Sequence, residues 1–347
     1  MARFMPRLVI STIAALFAFT WLFVPAAEPD DRPFEGKTIR LVVGYAPGGG
    51  FDTFARIVAR HLPRYIPGEP GIIVQNMPGA GSLVAANWAY ARQPGDGRTI
   101  VTFHSSLIIQ ALIDPAAKFD PLKYIWLGDP SIGSLPQVLW VRSDLPIRSL
   151  DDLKRTKEPV ALGVTGVGTG AAVVGEFLRS IGLPVKNVAG YAGSAPTMAA
   201  LEKKEIDGRI LPQDTMQTVY KRFIDGNMVR PVLAFGSDPR VEPLRGVATM
   251  EDLKMTPEQR QFAEFLMDTL AFLRLFAIPP GTPGDRVEIL RGAFMSALKD
   301  PKLIKEAERQ GVTVSPVSAA VVEHVVRKLA QTPREVLDRY RDLLAKR

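Results

Sequence analysis

The chain has 347 residues, 46% hydrophobic and 23% charged, a balance that suits folded structure in more than one domain and excludes a disordered chain. Cysteine is absent, which excludes disulfides, thiol catalysis, thiolate metal sites and a lipid-modified N-terminal cysteine. The net charge of +7 is scattered, and neither a clustered basic face nor a helix-turn-helix pattern is legible, so nucleic-acid binding is not expected; a mildly basic surface favours anionic small molecules instead.

Arg3 and Arg7 precede an apolar run from Leu8 to Val24, and Val24 and Ala26 occupy the small-residue positions of a signal-peptide cleavage site. Residues 1–26 are therefore expected to be removed on export. An uncleaved anchor is the rival reading, weakened by the small-residue exit. No later stretch is apolar and long enough to span a bilayer.

Strand and helix patterns then alternate. Strands are predicted at Thr38–Val43, Ile72–Gln75 and Thr99–Phe103, with helices at Thr53–Tyr65 and Leu83–Arg92. On the first helix Phe54, Ile57, Val58 and Leu62 share one face, and Arg56, Arg60 and Arg64 another. A second unit starts near Pro136–Val141, with a helix start at Ser149 and strands at Val160–Val164, Asn187–Gly190, Gly208–Leu211 and Val232–Phe235. After Ser237 come a strand at Leu273–Ile278 and helices at Asp285–Lys299, Pro301–Gln310, Ser318–Ala330 and Arg334–Ala345. These helices need a sheet to cover. The economical arrangement returns the chain to the first lobe, giving lobe one as residues 33–134 plus 239–347, lobe two as 135–238, and a cleft between mostly parallel sheets.

Glycine-rich turns follow several strands. The first is Pro47-Gly48-Gly49-Gly50-Phe51-Asp52 and the second Gly79-Ala80-Gly81-Ser82, each ahead of a helix whose first N–H groups and positive dipole end suit a small carboxylate. Arg40-Leu41-Val42-Val43, Pro47-Gly48-Gly49-Gly50-x-Asp52, Asn76-x-Pro78-Gly79-Ala80-Gly81 and Asp96-Gly97-x-Thr99-Ile100 occur in this order. The series resembles the extracytoplasmic solute receptors of tripartite tricarboxylate transporters, the Bug family, and the resemblance covers about Pro33 to Leu344. It implies a two-lobed type II periplasmic-binding-protein fold, a periplasmic location, a small organic acid as ligand and integral-membrane transporter subunits as partners. It implies no catalysis and no cofactor, and a monomer is expected.

In the second lobe, Thr165-Gly166-Val167-Gly168-Thr169-Gly170 and Tyr191-Ala192-Gly193-Ser194-Ala195-Pro196 match the places where family members carry a ligand loop and a Tyr-x-Gly-Ser-x-Pro segment. Each turn by itself also fits a plain tight connection. A dinucleotide site at Gly166-x-Gly168-x-x-Ala171 lacks the third glycine. Asp52 either stiffens the first turn by accepting its N–H groups or meets a ligand ammonium group, because a carboxylate aimed at an anion would repel it. Phe51 is either an apolar wall or a staple at the helix start. His104, Ser105 and Ser106 invite a nucleophile-and-base reading, but adjacent residues rarely form a triad and no Gly-x-Ser-x-Gly elbow is present, so the serines are expected as cleft-edge donors or helix caps. His61 and His324 have no ligand spacing for a metal. Asp214 falls where the family often keeps an Asp beside the cleft. Arg209 is a cleft cation or a surface charge, with the surface favoured. The expected affinity comes from neutral donors: N–H groups of Gly48–Gly50 and Gly79–Ser82, and hydroxyls of Ser105, Thr165, Thr169 and Ser194. An ABC-type or sensory binding protein is the alternative within the class, and a cleft hydrolase a more distant one.

Overall fold

The computed structural model describes residues 32–131, 136–235, 244–270, 272 and 274–345. The expected cleavage site at Ala26 and the expected lobe crossings at residues 134/135 and 238/239 lie outside the described residues. Among the described residues, no helix is long and apolar enough to cross a membrane.

Two six-stranded sheets organise the chain. The first contains β1 (Thr38–Val43), β2 (Gly71–Asn76), β3 (Thr99–His104) and β4 (Ile125–Asp129). The second contains β5 (Gln137–Arg142), β6 (Val160–Val164), β7 (Val185–Ala189), β8 (Gly208–Pro212), β9 (Val229–Phe235) and β10 (Ala248–Thr249). The chain then adds β11 (Arg274–Ile278) and β12 (Val317–Ser318) to the first sheet. The strand orders are β12-β4-β11-β3-β1-β2 and β10-β9-β5-β8-β6-β7.

The pairing is mixed rather than mostly parallel. β11 enters between β3 and β4 and runs antiparallel to both, and β5 does the same between β8 and β9. Both strands are placed by returning chain rather than by a βαβ crossover, and only the crossover forces parallel pairing. β10 lies beyond the expected return at residue 239 yet pairs with β9, so the second sheet extends past that point.

Alternate residues of each central strand feed opposite core layers. Val42, Val101 and Phe103 join one cluster, while Ile39, Leu41, Val43 and Ile100 join the other. In the second sheet Leu139, Val141 and Leu162 face one side, Val138, Trp140 and Leu211 the other. Coverage of both faces explains why these strands read as nearly unbroken apolar runs.

The helices that matter for the site follow strand ends. They are α1 (Gly50–His61), α2 (Leu83–Arg92), α3 (Leu107–Ile113), α4 (Leu150–Arg155), α5 (Gly170–Ser180) and α6 (Ser194–Glu202). α1 starts at Gly50 rather than at Thr53, so the end of the glycine turn is itself the first helical turn. Ser149 caps α4 by accepting from the Asp152 N–H, as the sequence suggested. The helix Pro257–Thr269 and strand β4 were not foreseen.

Candidate functional site

Three of these helices point their N-termini at one cavity. α1 contributes Gly49, Gly50 and Phe51, α5 contributes Thr169 and Ala171, and α6 contributes Ser194. Each brings unsatisfied N–H groups and the positive end of its dipole. α1 follows the first sheet and α5 and α6 the second, at the carboxyl ends of parallel strands where open α/β sheets bind ligands. The cavity measures ≈ 70 Å³.

Tyr45, His104 and Thr165 complete part of the wall. The Tyr45 and Phe51 rings lie 4.6 Å apart and the Phe51 and His104 rings 6.2 Å apart, an aromatic side to a chamber whose wall also includes the apolar Ala171, Ile210 and Leu270. Of the residues predicted from sequence, Gly49, Gly50, Phe51, His104, Thr165, Thr169 and Ser194 line the cavity. Phe51 therefore stands as a wall.

The remaining predicted residues surround the lining without joining it. Asp52 accepts from the Gly48 N–H at 2.9 Å, from Arg56 Nε at 3.0 Å and from Asn76 Nδ2 at 2.9 Å, which ties the turn Pro47–Asp52 to β2. Burial pushes the Asp52 carboxyl up, but the bonds from Arg56, Gly48 and Asn76 outweigh it and hold the group below the usual carboxylate range. A Cβ on Gly48 would lie 3.6 Å from Ala195 Cβ and one on Gly193 3.4 Å from Ala46 Cβ, so the first turn, with Pro47, meets the Tyr191–Pro196 segment outside the lining. There the Ala46 N–H donates to the Ala192 carbonyl at 2.9 Å, and the Tyr220 hydroxyl donates to the Gly48 carbonyl at 3.3 Å.

The second turn does not line the cavity, contrary to its expected role. Gly79, Ala80, Gly81 and Ser82 meet the second sheet's turn instead. A Cβ on Gly81 would come within 2.2 Å of Thr169 Cγ2, and one on Gly166 within 2.7 Å of the Gly81 nitrogen. The glycines thus permit backbone-to-backbone approach between two turns. Ser82 Oγ accepts from the His104 N–H at 3.3 Å, and Tyr45 donates to the Gly81 carbonyl at 3.4 Å, so this turn positions two residues that do line the cavity. Gly168 lies against Gln110, and Gly170 against Leu270 and His104.

Ser105 and Ser106 are also displaced from their expected place at the cleft edge. Ser105 Oγ donates to the Thr269 carbonyl at 2.9 Å, and Ser106 precedes α3 without a side-chain capping bond. The Ser106 N–H donates to His104 Nδ1 at 3.0 Å, which makes Nδ1 the acceptor and leaves the proton on Nε2. Burial and then the nearby Arg274 push the imidazole down to about 4, so His104 is a neutral N–H donor.

Sequence reasoning missed the cations. Arg209 and Arg274 both line the cavity and are only 5% and 2% exposed, which overturns the surface reading of Arg209 and places two cations beside the expected neutral donors. Arg209 lies in β8, where every residue is buried because β5 and β6 flank it and helices cover both faces. Burial lowers its guanidinium to about 10, against the opposing effect of Tyr220 and Tyr45, so it stays charged at neutral pH. Arg274 donates from Nη1 to Ser131 Oγ at 3.1 Å and from Nη2 to Thr215 Oγ1 at 3.2 Å, with Asp214 Oδ2 3.7 Å from Nη2. Its guanidinium carbon lies 5.8 Å from the Phe51 ring centre and 5.6 Å from that of Phe54. Asp214 therefore stays behind the lining, opposite Arg274, while Thr215 reaches the cavity along with Gln137, Ile210, Leu211, Pro212 and Leu270.

Among the described residues no group of His, Cys, Asp and Glu is arranged to hold a metal ion.

The model of the TctC family, described as the tripartite tricarboxylate transporter family receptor, matches residues 54–338. The chain belongs to that family. Over 296 residues the receptor is 26% identical to the protein BugT of Bordetella pertussis, spanning 83% of this chain and 84% of the relative. Its fold is that of the periplasmic binding protein BugD (TM-score 0.71, 20% identity, 88% of this chain and 97% of the other). It is similar also to MatC from Rhodopseudomonas palustris with bound malate (TM-score 0.68, 18% identity, 88% and 98%). The family is one of transporter receptors, and BugD is a periplasmic binding protein.

The neutral state of His104 gives the receptor a pH-dependent stability. Above pH 6.5 the ring is uncharged in both folded and unfolded chains. As pH falls from about 6.5 to about 4, the unfolded chain takes up a proton that the folded site refuses, so the folded state loses stability across that window. In His104→Asn, whose Oδ1 can accept from the Ser106 N–H, melting temperature against pH should fall less steeply over the same interval. Equal slopes in the two proteins would show that His104 is protonated in the folded site.

Proposed function

We propose that the receptor captures a small carboxylate in this cavity and delivers it to the integral-membrane subunits of a tripartite tricarboxylate-type transporter, acting as a monomer and by binding alone. The observation that carries the reading is the convergence of three helix N-termini and two buried guanidiniums on one small chamber. All of these favour negative charge. His104 Nδ1 is taken by the Ser106 N–H and the Ser105 hydroxyl by a backbone carbonyl, so the two do not pair as base and nucleophile, which supports capture without chemistry. The malate bound by MatC is consistent with the same class of ligand.

The size of the chamber narrows the class. Its ≈ 70 Å³ is several times the roughly 10–15 Å³ that one water needs, and about half of the ~150 Å³ apolar cavity that admits benzene. A short aliphatic acid fits this chamber better than an aromatic one. The proposal includes two hinged lobes, residues 33–134 with 239–347 and residues 135–238, that close on the ligand, and export with removal of residues 1–26. N-terminal sequencing of the exported protein reads the last point.

A thermal-shift screen of the exported protein against mono- and dicarboxylic acids of two to six carbons tests the reading. A ligand that binds only the folded state raises the melting temperature by mass action, and at least one acid should do so at millimolar concentration. No shift with any acid, alongside a shift with an uncharged or cationic solute, would overturn it.

A further inference from the structure

The two cavity arginines are built differently. Arg274 is provided for within the protein: Asp214 faces it, Ser131 and Thr215 accept its terminal N–H groups, and the Phe51 and Phe54 rings flank it. Arg209 is not. Its Nη1 donates to the Ser194 carbonyl at 3.3 Å, and among the described residues no Asp or Glu oxygen lies within 4.0 Å of it; the buried Nε atoms of both arginines lack an acceptor, so the difference lies in the carboxylate. The groups that interact with it electrostatically are Tyr45 and Tyr220, whose hydroxyls burial pushes up to about 12 and which are therefore neutral.

The two buried carboxylates nearby, Asp214 and Asp129, both stand on the Arg274 side, where Asp129 accepts the Arg274 backbone N–H at 2.9 Å, and His104 adds no charge. A positive charge with no carboxylate beside it is left at the Ser194 end of α6. A buried cation without a partner is costly to the fold, and replacing buried charge by an apolar side chain of similar volume is often neutral or stabilising. A residue that destabilises the empty receptor in this way and lines its cavity has the signature of a group whose partner arrives from outside.

We propose that Arg209 selects the ligand by charge: a carboxylate-type anionic group of the ligand seats against its guanidinium and supplies the countercharge that the fold withholds. This rests on the capture function proposed above and adds to it a single residue responsible for rejecting neutral analogues. Arg274, already matched by Asp214, holds the wall in place.

The test uses Arg209→Met and Arg209→Lys in the exported protein, with Arg274→Met for comparison. The probes are the acid that gives the largest shift in the screen and its uncharged amide. Melting without ligand comes first, since it needs no ligand. Arg209→Met should melt a few degrees above the wild type, whereas Arg274→Met, which strands Asp214, should melt below it. In calorimetric titration Arg209→Met should weaken the acid by about 100-fold. It should also bind acid and amide with similar affinity, whereas Arg209→Lys should keep a preference for the acid.

A lowered melting temperature for Arg209→Met would assign the residue a structural role and overturn the proposal. Undiminished acid affinity, or undiminished preference for acid over amide, would do the same. If no acid binds the wild type, the capture function fails on its own evidence, and the melting comparison still reports whether Arg209 is an unmatched buried charge.

Discussion

Gly49→Asp is expected to abolish anion binding while leaving the receptor folded. Gly49 is the N-cap of α1, with φ −99° and ψ 171°, a conformation open to any residue, and Asp is among the preferred N-caps. A Cβ there would stand 3.4 Å from Ser194 Cβ, an ordinary contact. The new carboxylate would enter the chamber at the N-terminus of α1, near that of α6, and occupy the donors meant for the ligand. Like charges brought together at a binding site cost several kcal/mol, so affinity should drop by at least about 100-fold. The melting temperature without ligand should hold or rise. Calorimetry and thermal melting on the same preparation check both halves; full affinity in the folded variant would mean that the turn Pro47–Asp52 does not serve the site.

Gly166→Ala is expected to act through closure rather than through the ligand. The added methyl would meet the Gly81 nitrogen at 2.7 Å and the Ala80 carbonyl carbon at 2.9 Å. Both are backbone, so neither can swing aside, and the two turns must separate. Overpacking of this kind costs about 1–3 kcal/mol, which corresponds to roughly 5- to 150-fold in affinity. Small-angle scattering should show compaction on adding the best acid to the wild type and less of it in the variant. Unchanged affinity with full compaction would show that the bound form does not bring these turns together.

These two glycines illustrate what the sequence could and could not convey. Each glycine-rich turn signalled that backbone must come close to something, and the structure bears out the close approach. The sequence did not say to what. Gly49 and Gly50 meet the cavity, while Gly81 and Gly166 meet each other. That difference depends on how two remote segments are juxtaposed, which local pattern does not encode.

The strands and helices beside the turns were legible because strands ran apolar and α1 kept a helical period. β11 is different: its neighbours β3 and β4 lie far earlier in the chain, so nothing local to Arg274 marked it as a cavity residue. Arg209 was misread for a related reason. A charged residue in a strand usually marks a solvent face, but β8 has none, because its neighbours and the covering helices bury it throughout. The one available signal was the run Gly208-Arg209-Ile210-Leu211, in which an arginine interrupts residues that otherwise belong to a fully buried strand.

The most direct measurement is a crystal structure of the receptor with the acid that stabilises it most. The acid is expected in the chamber between α1, α5 and α6, with carboxylate oxygens at hydrogen-bond distance, about 2.7–3.2 Å, from the Arg209 guanidinium and from a backbone N–H of Gly50 or Phe51. Ligand density elsewhere on the protein, or in the chamber with its carboxylate turned away from both, would contradict that expectation.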